Sequence, residues 1–130
     1  MVAAGVPGRI CNVSSQAGKR AFTFLCPYCA AKAGVILLTQ TMALELGPSG
    51  IAVNAVCPGT VDTDLLNKDH MFENMMGGPE GLAAYVAREV PLGRMQDAEE
   101  IAAAICWLLS DAARGVTGEA LNVSAGQTMV

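Results

Sequence analysis

Apolar and polar positions follow two rhythms along this chain, one suited to strands and one to helices. Arg9-Ile10-Cys11-Asn12-Val13-Ser14 is a short β-favouring run that ends in polar residues, the pattern of a buried parallel strand. A loop follows, from Ser15 to Leu25. The stretch from Pro27 to about Leu46 is helical in pattern, and Pro27 suits a first turn, where a missing N–H costs nothing. Gly47-Pro48-Ser49-Gly50 stops it. Ile51 to Cys57 predicts a second strand, broken by Pro58-Gly59. Residues 62–92 are richer in Met, Gly and charge and predict one or two short helices over a cleft. Asp97 is a good cap for the next helix, with acids in its first turn and Ile101, Ile105, Leu108 and Leu109 on one face. Glu119 to Val123 predicts a third strand.

Strand, helix, strand, helices, strand implies parallel crossovers. The fold class is therefore α/β, a partial doubly wound (Rossmann-like) parallel sheet of three strands with flanking helices. Parallel strands need cover on both faces and favour wider sheets. The expectation is that residues 1–130 are one part of a larger doubly wound domain whose N-terminal half is missing.

Composition narrows the class. With 52% apolar residues, few aromatics and 14 glycines in 130 positions, the chain has the make-up of a close-packed α/β protein, not a disordered one. A formal net charge of −4 and the lack of a Lys/Arg cluster argue against a nucleic-acid partner. No uninterrupted apolar run reaches the ~18 residues a bilayer span needs, so no membrane partner is expected. Met1-Val-Ala-Ala-Gly-Val-Pro has neither a basic leader nor a long apolar core, which predicts no signal peptide. Of the five cysteines, Cys11, Cys57 and Cys106 sit in apolar runs and read as small buried hydrophobes, which favours a reducing, cytoplasmic setting. No Cys/His set has zinc spacing, and the lone His70 reads as a solvated loop side chain.

Two chemistries overlap in Leu25-Cys26-Pro27-Tyr28-Cys29-Ala30-Ala31-Lys32. Cys26-Pro27-Tyr28-Cys29 is a dithiol at a helix start, where the dipole favours a thiolate and the second sulfur can resolve a mixed disulfide. With the apolar run Ala21 to Leu25 before it, it resembles the glutaredoxin motif. Glutaredoxins also carry Thr-Val-Pro downstream, and this chain has Thr60-Val61-Asp62. Their most constraining proline is absent, and the two cysteines then read as small residues flanking the tyrosine. The second chemistry is Tyr28 and Lys32, at i and i+4 on one helix face. A cationic neighbour favours the phenolate, which brings a phenol toward neutral-pH acid/base work. Ser15, at the end of the first strand and loop, is a hydroxyl donor where doubly wound sheets place ligands. Y-x-x-x-K alone is a weak pattern.

The pattern does not stand alone. Asn12-Val13-Ser14-Ser15, Tyr28 to Gly34, Asn54 to Thr63, Pro91-Leu92-Gly93-Arg94 and Thr117-Gly118-Glu119 come in the order and spacing of the short-chain dehydrogenase/reductase family, which the chain resembles from Gly8 to about Gly126. The resemblance implies hydride transfer between NAD or NADP and a secondary alcohol or ketone. In it Ser15 orients the substrate oxygen, Tyr28 is the acid/base, and Lys32 lowers the tyrosine's pKa and bonds the nicotinamide ribose. Pro58 and Gly59 look like cofactor contacts, Val61 a backbone contact to the carboxamide, and Thr63 a contact on the phosphate side. Residues 64–90 resemble the mobile substrate loop, in which Met71, Phe72, Met75 and Met76 either line an apolar site or pack the loop onto the body. Gly77 to Leu82 before Val90 to Arg94 resembles polyol and diol dehydrogenases, with 3-oxoacyl reductases equally compatible. The helix from Pro27 and the last helix and strand are subunit contacts in the family, which implies a homo-oligomer.

The departures are large. The glycine-rich phosphate loop, the residue that reads the ribose 2′ position, the N-N-A-G strand end and the proton-relay asparagine of the family have no counterpart here, so NAD and NADP are not distinguished. Val123-Ser124-Ala125-Gly126 stands where the family has Val-Asp-Gly-Gly. Three readings follow: the C-terminal part of a complete oxidoreductase, a non-catalytic paralogue or subunit that depends on another chain, or a dithiol redox protein.

Overall fold

The computed structural model describes residues 1–67 and 70–130. Strands β1 (Gly8–Val13), β2 (Ile51–Pro58) and β3 (Ala120–Val123) form one sheet in the order β1-β2-β3, all parallel, with Ile10 opposite Val53 and Val56 opposite Leu121. Helix α1 (Cys26–Leu46) links the first two strands. Between the second and third lie α2 (Asp64–Asn67), α3 (Met71–Met75), α4 (Pro79–Glu89) and α5 (Ala98–Leu108). The stretch 62–92 thus holds three helices among the described residues, more than its mixed pattern predicts, because Gly77-Gly78, both at φ 90°, separates two of them.

The middle strand explains the layering. Successive β2 side chains point to opposite faces. Ile51 and Val53 pack with Ala43, Met42 and Leu46 of α1, and Ala55 and Cys57 with Ile36. Val56 points the other way, onto Ile101 and Leu108 of α5. Val53 and Val56 are fully buried, and each such side chain contributes about 1.5–3 kcal/mol. Two polar side chains in this core are fully engaged. The Thr39 hydroxyl donates to the Val35 carbonyl at 2.7 Å and accepts from Asn12 Nδ2 at 2.9 Å, tying α1 to β1. Asn54 donates to the Val116 carbonyl at 2.9 Å and accepts the Glu119 N–H at 3.0 Å, which fixes the entry to β3.

Four sequence expectations need correction. Strand β2 runs on through Pro58, which stands opposite Val123. Ala55 and Gly59 donate toward β3, so the N–H that Pro58 lacks would fall on the β1 side, past the last pair, Val13 with Val56. Cys106 is exposed, because Ile101 and Leu108 take the inward positions of α5 and residue 106 lies off that face. Leu109 caps the helix and is 42% exposed instead of joining that face. The segment Cys26–Ser49 does reach the length and apolarity of a bilayer span, with mean hydropathy 1.3. It does so because few charges, among them Lys32 and Glu45, interrupt a run of Ala, Gly, Leu and Thr. One face of this helix covers β2, and the other leaves Leu37, Leu38 and Leu44 exposed.

The capping box of α5 is present as its sequence implies: Asp97 accepts from the backbone at Glu100, and Glu100 accepts the Asp97 N–H at 2.9 Å. Arg94 adds a two-pronged ion pair to the same carboxylate, at 2.7 and 2.9 Å. The Arg94 hydrogen bonds first, and the Asp97 N–H second, hold the Glu100 carboxyl down at about 2.

Candidate active site

The ends of β1 and β2 open onto a cavity of about 440 Å³. Ser15, Tyr28, Lys32, Pro58, Gly59, Val61 and Thr63 all line it, with Val13, Ser14 and Leu66 beside them and Ala98, Ile101, Ala102 and Ile105 of α5 as an apolar wall. The structure therefore brings together every residue that the sequence singles out for catalysis or cofactor contact, at the strand ends where such sheets place ligands.

Each side chain is set by its local structure. Backbone pairing carries β1 one step past Val13, since the Ser14 N–H reaches the Val56 carbonyl at 2.8 Å. Ser15 then turns away in extended conformation and caps the 3-10 turn Gln16–Gly18, its Oγ accepting the Ala17 N–H at 3.1 Å. It is 8% exposed, so its hydroxyl is held in a buried place at the cavity wall. The Ser14 hydroxyl donates to the Lys32 carbonyl at 2.7 Å. Gly18 seats the turn on the helix: a Cβ there would lie 2.7 Å from the Lys32 carbonyl oxygen. The loop after β1 is thereby locked against the turn of α1 that carries the amine.

Tyr28 and Lys32 do share a helix face, with Lys32 Nζ 5.6 Å from the Tyr28 ring centroid. Lys32 Nζ also donates to the Val13 carbonyl at 3.1 Å, which aims it at the end of β1. Tyr28 lines the cavity and is 44% exposed. A second glycine, Gly59, lets the end of β2 approach β3: a Cβ there would lie 2.8 Å from Ser124 Cα.

The methionine-rich stretch behaves differently from the cavity-lining alternative. Phe72 stacks edge-on against Tyr85, ring centroids 5.6 Å apart, and Met75 is 53% exposed. Neither these nor Met76 lines the cavity. The Met71 side chain lies outside the described residues. Phe72 packs α3 onto α4 within the same loop, and Tyr85 in turn ties that loop to the body through Gln127.

A buried polar network beside the site was not legible in the sequence. Gln127 Oε1 accepts from Gln16 Nε2 at 2.9 Å and from the Thr60 N–H and hydroxyl at 3.1 and 3.0 Å, and Gln127 Nε2 meets the Tyr85 hydroxyl at 2.7 Å. Thr128 Oγ1 donates to Gln16 Oε1 at 3.0 Å. Arg20 donates to the Gln127 carbonyl at 2.9 Å and to Glu89 at 3.1 Å. Arg88 and Arg20 hold the Glu89 carboxyl below its ordinary value by hydrogen bonding. One side chain thus joins the serine turn, the segment after β2 and helix α4. The available sequence hint is Gln16 next to Ser15; nothing marks Gln127, 111 residues away.

Cys57 lies against Ser14 and the Ser15 backbone, and neither it nor Cys11 lines the cavity. Burial pushes both thiols up.

A doubly wound half-sheet with a serine, a tyrosine and a lysine at its ligand end belongs to the class of dinucleotide-type α/β oxidoreductase folds, and comparison with known proteins sharpens that. The profile of a family described as enoyl-(acyl carrier protein) reductase matches residues 1–128. Human L-xylulose reductase is 41% identical over 126 residues, 97% of this chain and 49% of that protein. Among solved structures, an actinorhodin polyketide ketoreductase with NADPH matches at TM-score 0.88 and 36% identity, covering 98% of this chain and 49% of that one. Carveol dehydrogenase from Mycobacterium avium with NAD matches at TM-score 0.90 and 37% identity, covering 97% and 48%. The chain belongs to the short-chain dehydrogenase/reductase family, and it spans about half the length of the curated relatives it matches.

Proposed function

We propose that these residues form the C-terminal, catalytic part of one short-chain dehydrogenase/reductase domain, which interconverts a secondary alcohol and a ketone with NAD or NADP. Polyol, diol or 3-oxoacyl compounds are the substrate classes. The observation that carries the reading is the single cavity shared by Ser15, Tyr28, Lys32, Pro58, Gly59, Val61 and Thr63. The NADPH and NAD seen in the two structures above support the cofactor class.

The residues fit the nicotinamide end of such a cofactor. Val13, Pro58 and Val61 offer an apolar face for a ring, with hydroxyl and amine donors at its edge. When bound, the cofactor gives or takes the hydride. Ser15 holds the substrate oxygen. Tyr28 Oη delivers the proton to that oxygen in reduction and removes it in oxidation. Lys32 has three donors. One is spent on the Val13 carbonyl, which leaves two for a ribose hydroxyl and the phenol. Thr63 lines the same cavity and would be a contact on the cofactor's phosphate side. These 130 residues carry no glycine-rich phosphate loop, so the residues named here would hold only the nicotinamide end of the cofactor.

In a protein that joins these residues to a dinucleotide-binding segment, Tyr28→Phe abolishes ketone-dependent NAD(P)H oxidation and leaves cofactor binding largely unchanged. Retained turnover would sink the assignment. A non-catalytic paralogue or subunit that depends on another chain is the alternative reading. It requires that no in-frame dinucleotide-binding segment accompany this one, and it too expects no dinucleotide binding by the 130 residues in calorimetry. The exposed Leu37, Leu38 and Leu44 of α1 support assembly with a second copy through this helix and the last helix and strand, to be checked by sedimentation of the assembled protein.

A further inference from the structure

The dithiol of Cys26-Pro27-Tyr28-Cys29 is left unused by the proposed chemistry. Of the five cysteines, this pair alone shares a three-residue spacing within one helix. Cys26 is the first residue of α1, and the Cys29 N–H bonds to the Leu25 carbonyl at 2.8 Å, so the first turn is closed between them. Residues at i and i+3 of an α-helix have Cα atoms about 5 Å apart and directions about 60° apart around the axis. That separation falls inside the ~4.4–6.8 Å that a disulfide requires. Pro27 fixes φ between them and leaves no N–H to be disturbed.

Access and competition point the same way. Cys26 is exposed and Cys29 is partly so. Cys57 and Cys11 are disfavoured as thiolates by burial, and Cys106 is exposed on α5 with no second cysteine on its helix. We propose that Cys26 and Cys29 are a modification site that closes reversibly into an intrachain disulfide, with glutathione disulfide as the oxidant class. The thiolate of Cys26 attacks one sulfur of glutathione disulfide; the glutathione S–S bond breaks and one glutathione thiolate leaves. The thiolate of Cys29 then attacks Cys26 Sγ; the mixed disulfide breaks and the second glutathione leaves. The protons of the two cysteines end on the two glutathiones, which gain the two electrons that the cysteines lose.

The bridge would staple the turn that carries Tyr28 without covering its phenol. Tyr28 stands about 100° beyond Cys29 around the helix, away from the Cys26 side. The inference is independent of the hydride-transfer reading, since thiol chemistry alone tests it.

The experiment is to equilibrate the 130-residue chain in glutathione redox buffers, trap with an alkylating agent, and map each cysteine by mass spectrometry. The expected result is joint loss of alkylation at Cys26 and Cys29, a peptide lighter by two hydrogens, and full return with dithiothreitol. In Cys29→Ser the expected product is a stable glutathione adduct on Cys26. A persistent wild-type adduct on Cys26 with Cys29 still free overturns the proposal. So does full alkylation of both in buffers that already load Cys106, or the lack of any adduct in Cys29→Ser.

Discussion

Gly18→Ala is the sharpest test of how the serine loop is seated. The added methyl would lie 2.7 and 2.8 Å from the carbonyl oxygen and carbon of Lys32, and 2.9 Å from Ile36 Cδ1. The isoleucine tip can move, but the Lys32 carbonyl is fixed in the helix and already accepts the Ser14 hydroxyl. Overpacking of this kind costs about 1–3 kcal/mol. Gly18 does not occupy the left-handed region, so alanine is conformationally acceptable and recovers about 0.4–1 kcal/mol through the unfolded chain. The net expectation is a loss of about 1–2 kcal/mol. With a urea dependence of about 2 kcal/mol/M, the middle of the usual range, the midpoint falls by roughly 0.5–1 M. Gly34→Ala is the matched control. It lies inside α1 with nothing within 4 Å of the new methyl, so it should gain about 0.5–1 kcal/mol and raise the midpoint. Urea unfolding of both variants, followed by far-ultraviolet circular dichroism, checks the pair. A Gly18→Ala midpoint at or above wild type, with unchanged slope, would show that the close approach of turn and helix is not as described.

Gln127→Leu removes the hub of the buried network and orphans Thr60, Gln16 and the Tyr85 hydroxyl; at about 1–3 kcal/mol per unsatisfied buried group, a loss above 2 kcal/mol is expected. Hydrogen exchange should rise in α4 more than in α5, and equal protection of α4 would refute the link. Leu108→Ala, 1% exposed, should cost about 2–5 kcal/mol, against a change within about 0.5 kcal/mol for Leu44→Ala, 81% exposed, in the same urea assay. The Glu100 carboxyl is depressed to about 2 from an ordinary 4.5, so its contribution is present above about 4.5 and is lost as pH falls toward 2. Glu100→Gln should flatten the acid limb of the stability profile in that window, by a salt-sensitive amount since the group is open to solvent; an unchanged limb would show that the Arg94 pair and the capping box are not populated.

The periodicity of the sequence carried much of this fold because β2 is central. A strand buried on both faces reads as a near-continuous apolar run, and Ile51 to Cys57 does so with Asn54 as its one polar interruption. The same rule misjudged Cys106, because an apolar neighbourhood in sequence says nothing about which side of α5 a residue occupies. It missed the third helix of 62–92 because a helix as short as Met71–Met75 has too few turns to show a period. It missed the network around Gln127 because polar pairs 67 and 111 residues apart leave no trace in local spacing.

The candidate site shows a second kind of limit. Tyr28 and Lys32 form a weak pattern, and the reading rests on motifs at five places falling in family order. What the structure adds is that three separate contacts converge on one residue. The Ser14 hydroxyl bonds the Lys32 carbonyl, Gly18 packs against that same carbonyl, and the Lys32 amine returns to the Val13 carbonyl. Two of these use the backbone of residue 32, which any amino acid supplies, so no choice of side chain at that position could announce them. They separate two roles that substitution usually confounds. Lys32→Met keeps the backbone contacts and the stem, and loses the amine alone. On the proposed reading the Ser15 turn therefore stays seated in Lys32→Met while proton transfer through Tyr28 suffers, whereas Gly18→Ala disturbs the seat and leaves the amine in place.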